Sequence, residues 1–491
     1  MKRIISLVLM MAMLFSLTGM MTAQAENIVI YGVTDKHAGG IPTDREDDYV
    51  YTTIRDKIGV EVILDDLQDY DTALGARIVG GEIPDVMWLG PDQVQNFAAA
   101  GYLKDISEIK GTEFWNHLLE AYGDNIDIPS NYYDGGMYCF PAAQPLGEQQ
   151  FEIYVRGDWN EKYGLKVPTT VDELYDYCMD IVSHDYDGNG VIDTIGLTSY
   201  GLPGLACITA PYDVGLGNYL LIRDGKVTNS VLQPRMVEAL TMLKKFYDSN
   251  LLDPGLMSNS SAKATVFSCN VGVSAVKWSN VHKQSYIDQW KAVCPEATYD
   301  VIEALDAGEG PRFTIVKHDV NVGDKLAVSA DISDEKFEAL LKVLDYMCTE
   351  EGKMLVYMGL EGRHWNYDEN GMIKLVPENA AETNYVHEYQ WLGRDEMTYL
   401  AAKFPEASKE VAWGLHYNTL EYFNSSIIVP DDFNLADMES YINTQLIAFY
   451  KGERDLAEYD QFIQELYDSY DFGEYMNLAT EQLVALGLAN E

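Results

Sequence analysis

A two-lobed α/β architecture follows from three observations on this sequence. Its 491 residues exceed the roughly 250 to 300 at which a single hydrophobic core stops growing. Strand and helix patterns alternate after residue 26, and the alternation restarts near residue 150. Hydrophobic residues make up 47% and aromatics 12%, enough to fill two cores and line a cleft, and far from a disordered composition.

The first 25 residues read as an export signal. Lys2 and Arg3 precede an apolar run from Ile4 to Leu17, and the small-residue stretch Ala23 to Ala25 precedes Glu26. The run is shorter than a membrane-spanning helix needs, so a mature chain starting near Glu26 is expected.

From there the pattern is β-α-β-α-β. NIVIYG (27–32) is a β-rich run, and DDYVYTTIRDKIG (47–59) is a helix stopped by Gly59. VEVILD (60–65) is a β-branched strand, YDTALGARIVGG (70–81) a helix closed by Gly80 and Gly81, and IPDVMWLG (83–90) a third strand. Such a succession implies a parallel sheet covered by helices.

A second unit opens with the strand FEIYVR (151–156). In the following helix Thr170 and Glu173 have capping-box spacing, and Val171, Leu174, Cys178 and Ile181 share one face. TIGLTSY (194–200) is a strand, and the helix at 235–251 turns Met236, Leu240 and Leu243 inward. Ser333 caps a helix whose first turn holds Asp334 and Glu335 and whose stripe is Phe337, Leu340, Leu341, Leu344 and Met347. HWNYDENGMIKL (364–375) reads as a hairpin turning at Asn370 and Gly371, and from Glu406 the chain is mostly helical.

The formal net charge of −44 excludes nucleic acid and anionic membranes as partners, because both are bound by clustered Lys and Arg. The six cysteines form no CxxC pair, so neither a zinc site nor a redox motif is indicated. Disulfides in an exported protein and buried free thiols, Cys178 and Cys348 above all, both stand. Nucleophile elbow, HExxH helix, phosphate loop and dinucleotide turn are all missing, so no catalytic residue is assigned.

HDYDGNGVID (184–193) carries oxygen donors at alternate positions around Gly188 and Gly190. Asp185, Asp187, Asn189 and Asp193, with the Val191 carbonyl, occupy the spacing of a calcium loop. Gly196 stands where a full helix-loop-helix motif has its bidentate Glu, so Ca²⁺ here is expected to be structural and weakly held.

GEIPDVMW (81–88), DGGMYCFPA (134–142), YVRGDWNEKYGLKVPTTVDELYD (154–176), DYDGNGVIDTIGLT (185–198) and LLKVLDYMCTEEGKMLVYMGLEGRHW (340–365) resemble, in order, the family 1 extracellular solute-binding proteins of ABC sugar importers. The resemblance implies a type II periplasmic-binding-protein fold, two α/β lobes with a ligand cleft between them. It implies an oligosaccharide receptor, a monomer, that docks on an ABC permease with its ATPase. Residues 26–145 and 327–405 would build lobe 1, and residues 146–326 would build lobe 2. The segment 406–491 would be a helical stretch packed mainly on lobe 2. The chain would cross between lobes near Pro141 to Gln150 and return near Ala327. Many members carry a lipidated cysteine where this chain has Met20, so lipid anchoring is in doubt.

Receptors of this kind hold sugars by aromatic faces and a few polar groups. The candidates are Trp88, Tyr212, Trp278 and Trp365, with Asp85, Arg156 and Arg363. Core packing of the tryptophans, an Arg156–Asp158 ion pair and a turn-capping Asp85 stand beside that reading. The rival functions are a secreted carbohydrate-active enzyme and a receptor for peptides or another small solute.

Overall fold

The structure, a computed structural model, describes residues 27–35, 40–123, 126–127, 131–143, 152–256, 266, 268–317, 324–414, 418–427, 429–430 and 433–490. The export signal and residues 144–150 of the expected first crossing lie outside the described residues.

The first unit follows the expected succession: β1 (Ile28–Asp35), α1 (Tyr49–Ile58), β2 (Val60–Leu67), α2 (Tyr70–Gly80) and β3 (Val86–Leu89). Asp48 caps α1 by accepting from Val50 N and Tyr51 N, and Gly59 ends it with φ 75°, a left-handed turn that favours glycine. α3 (Pro91–Ala99) and α4 (Glu113–Tyr122) complete the outer layer.

The second unit contains β4 (Glu152–Arg156), α5 (Gly157–Tyr163), α6 (Val171–Ser183), β5 (Ile195–Ser199), α7 (Met236–Asp248), β6 (Val271–Val276), α8 (Ser279–His282) and β7 (Tyr299–Ile302). Thr170 caps α6 as its spacing predicts, but the Glu173 carboxylate reaches Thr169 N and Oγ1, one residue before the cap. The chain then rejoins the first sheet as β8 (Lys325–Val328), followed by α9 (Asp334–Cys348), capped by Ser333, and α10 (Glu350–Met358).

The hairpin Trp365–Tyr367 with Ile373–Leu375 forms, but its loop is longer than a two-residue turn. Asp368 organises it, accepting from Asn370 N and Met372 N at 2.9 Å each. α11 (Glu396–Lys403) and α12 (Pro405–Gly414) lead to a strand, Asn418–Tyr422, that pairs in parallel with Pro311–Lys317 and interrupts the expected helical stretch. α13 (Leu435–Lys451), α14 (Tyr459–Ser469) and α15 (Phe472–Ala485) end the chain.

Two four-stranded sheets result. The first has the order β8-β3-β1-β2, parallel except for β8. β1 crosses the others so closely that a Cβ on Gly32 would lie 2.7 Å from Leu64 and Val86, so the position requires glycine. The second has the order β7-β4-β6-β5, with β5 and β6 parallel and β4 antiparallel to both its neighbours.

Each sheet has its own core. Ile30, Val62 and Val86 pack with Leu326, Leu340 and Leu344 in one. Val155, Leu197 and Val273 pack with Leu174, Leu240 and Phe246 in the other, which also takes Ile442, Phe449, Phe462 and Phe472 of the last three helices. Burying each such Phe contributes about 1.5 to 3 kcal/mol, which is what holds the C-terminal helices to the second sheet. All six cysteines are free thiols, four of them buried. Among the described residues no helix is long and apolar enough to cross a membrane.

Candidate ligand site

Open α/β sheets receive ligands outside the carboxyl ends of their parallel strands. In the first sheet those ends are Asp35, Leu67 and Leu89. In the second they are Ser199 and Val276, with Glu152 at the same edge because β4 runs the other way and pairs it with Val276.

The second edge is rich in aromatic and charged groups. Tyr200 directly follows β5 and donates to Asn280 Oδ1 at 3.0 Å. Trp278, two residues past β6, packs with Leu400, Ala407 and Val411 of α11 and α12, its ring 5.0 Å from that of Phe404. α11 and the residues leading into it also reach the first unit: Asp395 N donates to Tyr357 Oη at 2.8 Å, Arg394 N to the Ala143 carbonyl at 3.3 Å, and Tyr399 packs on the first core. α11 therefore touches both units beside the strand ends, and α12 packs beside it on the second.

A buried acid pair lies at the same strand end, where Glu152 pairs with Val276. Tyr154 Oη contacts the carboxylates of both Glu152 and Glu410, and His282 Nε2 meets Glu410 at 2.9 Å. A phenol has one proton to donate, so one contact needs a protonated carboxyl. Burial, and then the neighbouring Glu410, push Glu152 well above the usual carboxylate range, which makes it that group.

Cations surround the aromatic rings above. Arg394 pairs with Glu396 and lies 3.9 Å over the Tyr399 ring. Lys403 lies 4.9 Å over the same ring, and Lys283 lies 5.8 Å over Trp278. Burial, then the charges of Arg394 and Lys283, push Lys403 down to about 8.

The seven residues singled out in the sequence do not gather at one place. Trp88 and Trp278 lie at the carboxyl ends of β3 and β6, one in each unit. Asp85 precedes β3, accepting from Tyr31 N at 2.8 Å and pairing with Lys336 at 2.6 Å. Arg156 ends antiparallel β4 at the far edge of its sheet, where it is buried, clasps Asp158 and stacks 4.1 Å over Trp159. Tyr212 is buried in the second core with the Arg235 guanidinium 4.7 Å over its ring. Arg363 pairs with Glu382 at 2.7 Å beside Tyr49. Trp365 is buried, donates to the Gly359 carbonyl and borders a cavity of about 370 Å³ with Tyr346, Met354 and Tyr367.

Tyr200, Tyr399, Lys403 and Phe404 escaped the sequence reading. The aromatic residue directly after TIGLTS was a usable signal for Tyr200. No local pattern marks α11, which reaches the edge only through tertiary packing.

The 184–193 loop folds tightly upon itself. Asp185 accepts from the N–H groups of Gly188, Asn189 and Gly190 at 2.9 to 3.1 Å. The Asn189 amide nitrogen bridges Asp187 and Asp193 at 3.0 and 3.1 Å, while its oxygen accepts from Val191 N at 2.7 Å. Among the described residues no three His, Cys, Asp or Glu side chains gather tightly enough to hold a metal ion.

Residues 56–354, more than half the chain, match the family of bacterial extracellular solute-binding proteins. The chain belongs to that family. Lipoprotein LipO of Bacillus subtilis is 27% identical over 335 residues, 65% of this chain and 64% of that protein. The fructooligosaccharide ABC transporter substrate-binding protein FusA of Streptococcus pneumoniae is 22% identical over 238 residues, 43% of each chain. The chain thus spans less than two thirds of the length of either relative. A solved structure of a FusA EF-hand mutant with fructo-nystose superposes with a TM-score of 0.66 at 18% identity, covering 92% of this chain and 98% of that one. An HMO-binding ABC-transporter-associated solute-binding protein of Bifidobacterium longum infantis superposes with a TM-score of 0.70 at 14% identity, covering 94% of this chain and 100% of that one. The fold of this solute-binding protein is the two-lobed α/β fold those structures share.

Proposed function

We propose that this protein is a non-catalytic extracellular receptor that captures an oligosaccharide between its lobes and delivers it to an ABC permease and its ATPase. The observation that carries this reading is the pair of sheets whose strand ends are bridged by α11, a helix that touches both units. Closure of two lobes over ligand couples binding to the shape a permease would recognise. The names of FusA and of the HMO-binding protein support a sugar as cargo.

The core clusters support lobes built from residues 26–145 with 327–405, and 146–326 with 406–491. Within the cleft the aromatic candidates are Trp88, Tyr200 and Tyr399, each partly exposed, and Trp278, 2% exposed, backs them from the core. Asp85, Arg156, Tyr212, Arg363 and Trp365 act through the framework around the cleft. The protein is exported after cleavage near Ala25. Met20 offers no thiol for lipid, unlike what the name lipoprotein states of LipO.

The 184–193 loop is read as a calcium loop, supported by its donor set and by the EF-hand named in the FusA structure. Asp185, Asp187, Asn189, Asp193 and the Val191 carbonyl would hold Ca²⁺. The Asn189 amide nitrogen now sits between two carboxylates, as a cation would, so binding requires that amide to turn its oxygen inward. The ion would fix the loop that links α6 to β5.

Thermal unfolding of residues 26–491 against a panel of neutral and acidic oligosaccharides tests the function. A sugar at 100 times its dissociation constant should add about 2.7 kcal/mol to the native state. A shift that decays as product appears would make the protein an enzyme. Stabilisation by peptides and by no sugar would make it a receptor for another solute.

A further inference from the structure

The junction of α11 with α8 concentrates positive charge in a chain that has 78 acidic and 34 basic residues. Arg394, Lys403 and Lys283 stand around the rings of Tyr399, Phe404 and Trp278. Only Arg394 has a matching acid, Glu396, whose carboxylate is fully buried. Of the other charged groups on the packed elements, His282 and Glu410 are engaged with each other, Glu406 pairs with Lys409, and Asp395 caps the start of α11.

Lys403 is the unusual member. Its ammonium is half-buried, rests on Tyr399 and pairs with no carboxylate among the described residues. Withdrawing a charge from water without a counter-ion is costly, and placing it near two other cations adds to the cost. The same burial and the same two cations hold its pKa at about 8. Uncompensated charge of this kind, held beside a cleft, concentrates at sites where a ligand supplies the missing partner.

That partner is an anion. A carboxylate suits two ammonium groups set beside a guanidinium charge, and the apolar face of a sugar ring suits the half-buried Tyr399 ring. Resting on the receptor reading above, we propose that Lys403 and Lys283, with the charge of Arg394 behind them and the Tyr399 ring beside them, form a subsite for a carboxylate-bearing sugar unit. The ligand class is then acidic oligosaccharide, bound locally against the protein's negative net charge.

Calorimetric titration of residues 26–491 with trigalacturonate and with neutral galactotriose tests this. The wild type should prefer trigalacturonate by at least about tenfold at pH 7, and Lys403→Met should reduce that preference by about tenfold. Raising the pH through 8 should weaken trigalacturonate binding to the wild type as Lys403 loses its proton. Lys403→Arg, which stays charged, should keep its affinity up to pH 9. Melting curves of both variants show that they are folded. A preference for galactotriose, or a Lys403→Met variant with an unchanged preference, overturns the subsite and leaves the receptor standing. Binding of neither sugar, with no shift from any other sugar of the panel, overturns both readings.

Discussion

Replacing Arg156 by Met separates a framework role from a ligand-binding one. The guanidinium is 3% exposed and donates to both oxygens of Asp158 at 2.8 and 2.7 Å and to the Cys269 carbonyl at 2.5 Å. Methionine keeps much of the aliphatic stem, so the main loss is the charge. Breaking a buried ion pair from one side costs about 3 to 5 kcal/mol. Asp158 is 20% exposed and keeps a hydrogen bond from Thr298 N at 3.3 Å, which places its share at the lower end. The Cys269 carbonyl loses a charge-assisted donor, a further ~1 kcal/mol or more, at a residue whose φ of 63° is already strained. The sum is about 4 kcal/mol, or roughly 8 to 16 °C in melting temperature for a unit of 150 to 250 residues. Differential scanning calorimetry reads the shift, and calorimetric titration at 20 °C with a sugar that stabilises the wild type should show unchanged affinity. A variant that melts within about 2 °C of the wild type and no longer binds that sugar would refute the framework role.

Three further outcomes are expected. Because the folded pKa of Glu152 lies well above its ordinary 4.5, its contribution to stability is complete below that value and is lost as pH rises through the folded pKa. Melting scans from pH 5 to 8 should therefore show Glu152→Gln escaping part of the wild type's decline, and a decline of equal size would remove the protonated-acid reading. Calcium at 100 times its dissociation constant should raise wild-type stability over chelated protein by about 2.7 kcal/mol, and Asp185→Asn should lose the gain. Identical melting in calcium and chelator would leave the 184–193 loop as a plain turn. Phe449→Ala empties a fully buried site between Tyr459 and Phe462, at a cost of about 3 to 5 kcal/mol in denaturant titration. A cost below about 1 kcal/mol would mean that the C-terminal helices are not part of the second core.

Much of the fold was legible because its signals are local. Gly59, Thr170 and Ser333 mark helix ends through backbone geometry and hydrogen bonds within a few residues, and the structure bears out all three. The hairpin at 364–375 was visible from its turn residues, although Asp368 rather than the Asn370–Gly371 pair organises the loop. The strand Asn418–Tyr422 was not visible, since it gains its hydrogen bonds from a partner strand about a hundred residues away. The site was harder to read. An aromatic residue after a strand is a fair signal, and it located Trp88 and Trp278 at strand ends. The same reasoning could not see that Asp85 meets Lys336, or that Arg363 meets Glu382.

The sequence by itself determined the two α/β units, their order and the oxygen-rich loop, because hydrophobic period, caps and turn residues act over a few positions. Tertiary structure alone decided which side chains share a space. Tyr154 lies between Glu152 and Glu410, and Lys403 comes near Arg394 and Lys283, because α11 bridges two units that fold around separate cores and α12 packs beside it on the second. Contacts of that range depend on how whole elements dock, and no pattern within either segment encodes them.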